Sequence, residues 1–224
     1  MIYIILNKSD KTLVNDNMFT EGTEVTPTMV YPAFNPETMM MVYSDMAIQE
    51  IAPYYTNLIG HFNITQDGKL VEKSLTEKAQ AGVLDFNPES IAASEECKAI
   101  EGKTQAIRIV LLGLQLKLLS SVKACDLALS LLDEETERRI AEQYSLAREL
   151  KITKAYMAWV QAGKPEDAEG QATQEAYQTM ERLIKLIKAD YSAVRTLLKE
   201  LIEPLKAAEK TATTEQETNA KHSE

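Results

Sequence analysis

The sequence has few of the residues that bind metals or form disulfides. Cysteine occurs twice, as Cys97 and Cys125, and histidine twice, as His61 and His222. There is no CxxC pair, no histidine lies near either cysteine, and the two histidines fall in different predicted segments, so the ligand spacing of a zinc site is missing. We therefore predict two buried thiols, no metal site and no other cofactor.

Signals for export and for membrane insertion are also scarce. The apolar run at residues 1–6 is short, no basic residues precede it and no small-residue cleavage site comes after it, so it predicts a strand rather than a signal peptide. Together with the low cysteine content, this indicates a chain made in a reducing cytoplasm. The longest apolar stretch, 104–132, contains charged residues such as Arg108, Lys117 and Asp126, which argue against a membrane span. We expect no membrane partner.

Positive charge is outweighed by negative charge. The chain has 24 lysines and arginines against 34 aspartates and glutamates, which gives a formal net charge of -10 at pH 7. Nucleic-acid binding depends on clustered cationic side chains that neutralise phosphates. This balance argues against a nucleic-acid partner, and the acidic surface is expected to keep the protein soluble.

Catalytic motifs are missing as well. The fragment Gly102-Lys103-Thr104 matches the end of the phosphate-binding pattern G-x-x-x-x-G-K-[ST]. The first glycine of that pattern would fall at position 97, which is Cys97, and no strand rich in Val or Ile precedes it, so a break between helices explains the fragment better. We name no catalytic residue and predict that the chain is not an enzyme; the alternative is an enzyme whose site has no recognisable motif.

The first part of the chain has the composition of a small domain that mixes strands and short helices. Five of the seven prolines lie between residues 27 and 88, among short β-rich runs at 1–6, 12–14 and 39–43. The first two runs predict a hairpin, and Asn15-Asp16-Asn17 predicts a turn after it. A second hairpin is predicted around Asp67-Gly68, where the glycine suits a tight turn. These features predict an α/β leader domain over residues 1–88.

Two helix starts are expected near the end of the leader. Ser74 and Glu77 have the spacing of a capping box, which predicts a short helix that ends at Gly82. Asn87 followed by Pro88 predicts the start of another helix, which we expect to extend to about residue 103. The remainder, residues 89–208, is predicted to be helical.

The leucine-rich stretch 104–132 is predicted to be one central buried helix. Apolar side chains fall on nearly every face, so such a helix needs neighbours on most sides. We place Leu112, Leu116 and Leu119 in the core. The acidic residues after Leu132 predict a turn and then a second long helix, 134–162.

The last predicted helix, 172–208, has the clearest periodicity, close to a heptad seam. Pro204 is expected to bend or fray its end, and 209–224 is expected to be a flexible tail. The seam predicts an oligomer interface, with an intramolecular bundle as the alternative. Its candidate residues are Met180, Leu183, Ile187, Tyr191, Val194, Leu198, Leu201 and Leu205. The fold class is therefore α+β, a small α/β leader domain followed by a mainly α-helical bundle or coiled-coil-like domain.

Three segments of the leader have a recognisable character: residues 1–6, residues 31–39, and residues 67–75 leading to Gly82. Together they resemble the small leader domain of some bacteriophage tail-fibre and tail-accessory proteins. The third segment resembles a strand–short-helix unit that such proteins sometimes repeat, although it occurs once here. The resemblance covers about a third of the chain, and it brings no active site with it.

The resemblance implies a structural component of a phage tail or of a similar virion part. In that case the leader domain docks on another virion protein, and the helical domain mediates homo-oligomerisation, with a trimer as the first expectation because tail-fibre-like proteins are commonly trimeric. The protein would be made in the host cytoplasm and located in the virion tail. The alternative is a tail-fibre assembly factor, a chaperone that is absent from the mature particle.

Overall fold

A computed structural model describes residues 1–165 and 167–221, with side chains described through Thr211. The protein has the predicted α+β fold: antiparallel strands lie in the amino-terminal part and helices form the carboxy-terminal part. It divides into two compact units, Met1–Asp85 and Phe86–Glu224; the sequence placed this change at residue 88.

Unit 1 contains a three-stranded antiparallel sheet of order β2-β1-β3. The strands are β1 (Ile2–Asn7), β2 (Leu13–Met18) and β3 (Met39–Ser44), with a short helix α1 (Pro27–Val30) between the last two. The predicted hairpin and third strand are thus confirmed.

The turn predicted at residues 15–17 is wrong, because these residues lie inside the edge strand β2. Asn15 donates a hydrogen bond to the carbonyl of Val30, and Asp16 accepts one from the Tyr55 hydroxyl at 2.6 Å. Partners distant in sequence therefore satisfy polar side chains that would otherwise favour a turn.

One face of the sheet is covered by the segment after β3. This segment forms α2 (Ile48–Ile51), a 3₁₀-helix (Ala52–Asn57) and α3 (Leu58–His61), then the hairpin of β4 (Phe62–Ile64) and β5 (Leu70–Glu72), and finally α4 (Leu75–Gln80). The helices at 48–61 were not predicted from the sequence. The buried core of unit 1 consists of Ile2, Ile4, Leu6, Val42, Ile51, Leu58, Phe62 and Leu70.

The second hairpin and the capping box are confirmed. Gly68 has a φ of +86° in the hairpin turn, and a Cβ atom there would lie 3.3 Å from the carbonyl oxygen of Met41. The Ser74 hydroxyl accepts from the Glu77 amide at 3.2 Å, and the Glu77 carboxylate accepts from the Ser74 amide at 2.8 Å. Two amides at the start of α4 are therefore satisfied locally.

Unit 2 consists of helices. They are α5 (Pro88–Ala93), α6 (Glu95–Lys98), α7 (Gln105–Gln115), α8 (Val122–Gln143), α9 (Leu146–Gln161) and α10 (Ala168–Lys221). The start predicted at Asn87 is confirmed, since its side chain accepts from the amides of Glu89 and Ser90. The helix expected to continue to 103 is broken at Ser94, which instead caps α6 by accepting from the Cys97 amide.

The single central helix predicted for 104–132 is wrong, because the stretch forms α7 and the first half of α8. The chain leaves α7 through Lys117, which has a φ of +57°, and the Leu118 amide donates back to the carbonyl of Gly113 at 2.9 Å. Ser121 then caps α8 by accepting from the Ala124 amide. Capping by serine and a left-handed closing residue thus outweigh the continuous leucine pattern.

The turn predicted after Leu132 lies elsewhere, because a serine again determines where the next helix begins. The acidic residues after Leu132 lie in the middle of α8, and the predicted helix 134–162 is broken at Tyr144 and Ser145. Ser145 caps α9 by accepting from the Arg148 amide. Of the three leucines predicted to be in the core, Leu112 and Leu119 are buried and Leu116 is half-buried.

The 54-residue helix α10 extends beyond its predicted end. Pro204 lies inside it, and the helix continues through Lys221 where a flexible tail from 209 was expected; residues 222–224 of that tail lie outside the described part of the chain. At 1.5 Å per residue the helix is about 80 Å long. It packs against α8, α9 and α7.

Arginine side chains fix the position of α10 along α8. Arg195 donates to Thr136 Oγ1 at 3.0 Å and to the Leu132 carbonyl, and it pairs with Asp133 at 2.5 Å. The fully buried ring of Tyr191 lies within 6.0 Å of the Arg195 guanidinium. Sliding one helix along the other by a turn would break all of these contacts, so they select one axial register.

The buried and exposed leucines of α8 provide a test of this core. Leu132 is fully buried, whereas Leu127 on the same helix is 43% exposed. We expect Leu132→Ala to lower the free energy of unfolding by about 2–5 kcal/mol, because it leaves a cavity. Leu127→Ala should change it by less than about 0.5 kcal/mol. Urea unfolding followed by circular dichroism measures both; equal losses would contradict the placement of α8.

The break between α7 and α8 provides a second test. A side chain in the left-handed region is strained, and glycine removes the Cβ atom that causes the strain. Lys117→Gly should therefore raise the free energy of unfolding by about 1 kcal/mol. Lys117→Ala, which removes the same charge but keeps Cβ, should not. A glycine variant no more stable than the alanine variant in urea would contradict a left-handed residue at 117.

Candidate interaction surfaces

The two cysteines are buried, as predicted. Cys97 and Cys125 are free thiols, and Cys125 Sγ lies 3.6 Å from the carbonyl oxygen of Leu119. Burial raises the pKa of both thiols. Because only the thiolate is a strong nucleophile, neither cysteine has the environment of a reactive group.

Of the two histidines, His61 lies in the described part of the chain. The His61 ring contacts the Tyr54 ring in a tilted arrangement, with centroids 4.3 Å apart. Partial burial, followed by the charge of Lys78, lowers the pKa of His61. His222 lies outside the described residues. Within residues 1–165 and 167–221 no cluster of three or more His, Cys, Asp or Glu residues could hold a metal ion. No helix among these residues is long and apolar enough to span a membrane.

The Gly102-Lys103-Thr104 fragment lies at the break before α7. The short helix α6 precedes it instead of a strand, and Thr104 is the residue before the first turn of α7. The shallow cavity beside it, about 360 Å³, is also lined by Arg139 and Asp190, which pair with each other at 2.9 Å. The fragment therefore lies at a break between helices, as predicted.

The predicted seam residues of α10 face the interior of unit 2. Five of them are buried within the single chain: Met180, Ile187, Tyr191, Val194 and Leu198. The other three, Leu183, Leu201 and Leu205, are half-buried. Packing against α8, α7 and α9 of the same chain accounts for much of this periodicity. An oligomer interface at the half-buried residues of the seam stays a prediction.

Helix α9 exposes apolar residues to an unusual degree. None of its sixteen residues, all of which are described, is buried. Leu146, Leu150 and Met157 are 72%, 49% and 55% exposed. At 100° per residue these three positions fall within about 40° of one another around the helix. They form one apolar stripe, which we call the α9 ridge.

Aromatic side chains attach α9 to α10. The rings of Tyr156 and Tyr177 stack at 3.9 Å between centroids with an interplanar angle of 7°. Trp159 Nε1 donates to the carbonyl of Pro165 at 3.1 Å in the turn between the helices. This attachment lies at the carboxy-terminal end of α9 and leaves the α9 ridge uncovered.

Two of the grooves in unit 2 differ in charge, one with a net positive lining and one with a net negative lining. The larger, about 930 Å³, lies between α9 and α10; Met180 and Ile184 are apolar residues of its lining, and its cations are Arg182, Lys185 and Lys188. The smaller, about 320 Å³, lies between α5, α7 and α8. Its apolar lining residues include Ala92, Ala106, Ile109 and Leu131, and its acidic residues are Glu89, Glu134 and Glu135. We call the smaller one the acidic groove.

Unit 1 has a row of aromatic rings across its sheet. Tyr3 of β1 lies opposite Tyr43 of β3, with ring centroids 5.9 Å apart, and contacts Phe19 edge-on at 5.8 Å. All three side chains are half-buried, and Met1 beside them is 38% exposed. Half-exposed aromatic and methionine side chains are enriched in protein–protein interfaces. We call this the aromatic row.

The residues of the α9 ridge and of the aromatic row were not predicted from the sequence as surface features. The spacing of Leu146, Leu150 and Met157 is visible in the sequence, but the prediction of one helix over 134–162 did not separate an exposed stripe from the packed face. Tyr3 and Tyr43 were assigned to strands, yet their pairing depends on the strand order. A search for apolar stripes left over after the core is assigned would have found the first surface.

Comparison with other proteins identified no relative. The chain has no significant match among protein-family models, curated proteins or solved structures.

The Tyr156–Tyr177 stack is open to test by hydrogen exchange. Because α9 has no buried residue, we expect its amides to exchange faster than those of α8, through local opening. Tyr177→Ala should accelerate exchange in α9 further, since aromatic pairs contribute about 0.5–1.5 kcal/mol beyond their area. Tyr177→Phe keeps the ring and should leave α9 exchange unchanged. Equal effects of the two substitutions would contradict the stack.

Proposed function

We propose that this protein is a structural component of a phage tail or of a similar virion part. In this proposal unit 1 docks on another virion protein and unit 2 associates with further copies of the chain. The bacteriophage placement depends on the resemblance of segments 1–6, 31–39 and 67–75 to tail-fibre and tail-accessory leader domains. The role in assembly depends on the exposed surfaces of the two units.

The observation that carries the proposal is the α9 ridge. Isolated helices of about sixteen residues are marginal in water, and most helices gain their stability by burying an apolar face. The side of α9 that carries Leu146, Leu150 and Met157 remains open to solvent in the single chain. A protein whose role is assembly has a reason to keep such a stripe exposed, because a partner covers it.

The aromatic row supports the docking part of the proposal. Its three rings are fixed by mutual contacts, and the Tyr43 hydroxyl donates to Asp67 at 2.7 Å. This hydrogen bond is the main cause that raises the pKa of Tyr43. Rigid aromatic side chains lose little conformational entropy on binding, which makes them effective interface anchors.

A test of the proposal is the composition of purified particles. Quantitative mass spectrometry should detect the chain in mature virions at a fixed ratio to another tail protein. Detection only in assembly intermediates would favour the alternative, an assembly factor that leaves before maturation. Absence from both would overturn the proposal.

The docking surface is tested by incorporation of variants. Phe19→Ser removes one end of the aromatic row, and we expect incorporation to fall by roughly tenfold, as for loss of an aromatic hot spot. Val71→Ser is the control, since Val71 is 45% exposed on β5 of the same unit. Both variants are first shown to be folded by thermal melting. Equal incorporation of the two would remove the aromatic row from the interface.

A further inference from the structure

We infer that the α9 ridge of one copy docks in the acidic groove of a second copy of this chain. The inference rests on the proposed self-association of unit 2 and specifies its surfaces. It combines an exposed cationic helix face with an apolar groove that has an acidic rim.

The α9 ridge has cations on its free flank. Around the helix, Lys154 lies about 40° and Lys151 about 100° beyond Leu150 on one side of the stripe. Tyr156, which stacks on Tyr177 of α10, lies about 80° from Leu146 on the other side. Neither lysine forms an ion pair with any described residue. Helix α9 contains three cationic residues, the two lysines and Arg148, and one acidic residue, Glu149. It is therefore net positive in a chain whose net charge is -10.

The acidic groove has the complementary character. Its apolar residues can contact leucine and methionine side chains, while Glu89 and Glu134 stand at its edge. Within the described residues Glu89 has no cationic partner, and Glu134 accepts a hydrogen bond from the Ser130 hydroxyl. The third acid, Glu135, already pairs with Arg138. Two carboxylates are therefore available for two lysines.

Charge decides between the two grooves. The larger groove is lined by three cations, which outnumber its two carboxylates, Glu149 and Glu181, so its net positive charge disfavours the lysines of α9. In the acidic groove the same lysines face carboxylates. The acidic groove is thus the favoured site, and an apolar helix face inserted in a groove is a common recognition mode.

The geometry of the contact also limits the assembly. The ridge lies on α9 and the groove between α5, α7 and α8, so each copy offers two different surfaces. Such a contact either occurs twice across a two-fold axis or links copies head to tail, and a head-to-tail contact that closes forms a ring. A closed ring of three copies would agree with the trimer expected from the resemblance.

Charge reversal on each surface tests the inference. The full-length wild type and two double variants, Lys151→Glu with Lys154→Glu and Glu89→Lys with Glu134→Lys, are studied by analytical ultracentrifugation. We expect each double variant alone to associate at least roughly tenfold more weakly than the wild type, because like charges then face each other. An equimolar mixture of the two should restore association, because every ridge–groove contact between unlike variants joins opposite charges.

Matched variants separate this contact from general effects of charge. Lys199→Glu with Lys206→Glu changes the net charge by the same amount as the α9 variant, at exposed positions outside both surfaces, and it should associate like the wild type. Leu150→Ser removes an apolar anchor without a change of charge and should weaken association. Circular dichroism melts confirm that each variant is folded.

The outcomes distinguish the inference from the proposed function. A wild type that remains at 25.1 kDa at high micromolar concentration would overturn both the self-association and the docking contact. A wild type that associates while neither double variant weakens it would overturn the docking contact alone. Weakening in both variants without recovery in the mixture would also overturn it, because the two surfaces would then not meet.

Discussion

The packing of α10 against α8 is the contact on which unit 2 depends. Tyr191 and Leu198 of α10 and Leu132 of α8 are fully buried, and this apolar burial supplies most of the stabilisation. Arg195 adds specificity, because its hydrogen bonds to Thr136 and to the Leu132 carbonyl exist in one register only. Helices α7 and α9 pack against α10 as well. The position of the α9 ridge is therefore a consequence of how α8 and α10 meet.

Local chemistry made part of the fold predictable. The capping box at Ser74, the glycine turn at Gly68 and the start at Asn87 were read correctly because a few neighbouring residues determine each of them. The breaks in unit 2 were misread because serine caps compete with a continuous leucine pattern, and the sequence does not show that Lys117 adopts a left-handed conformation.

The surfaces were harder to predict than the elements. The apolar periodicity of α10 is clear in the sequence. It indicates that one face of the helix is covered, but not whether the same chain or a second chain covers it. The structure covers much of that face from within, with Tyr191 fully buried. Conversely, α9 has a less regular pattern, yet one of its apolar stripes remains open to solvent. A surface for another molecule is identified by the apolar area left after the chain has packed on itself, and that requires the tertiary structure.

The length of α10 has a consequence for the evolution of this chain. Residues 206–211 are exposed on every side of the helix. Seven residues make nearly two full turns and add about 10 Å. An insertion of that size after residue 206 would leave in place every buried residue among the described side chains of unit 2. The part of α10 after residue 206 can therefore be lengthened or shortened in steps of two turns without a change in the packing of unit 2.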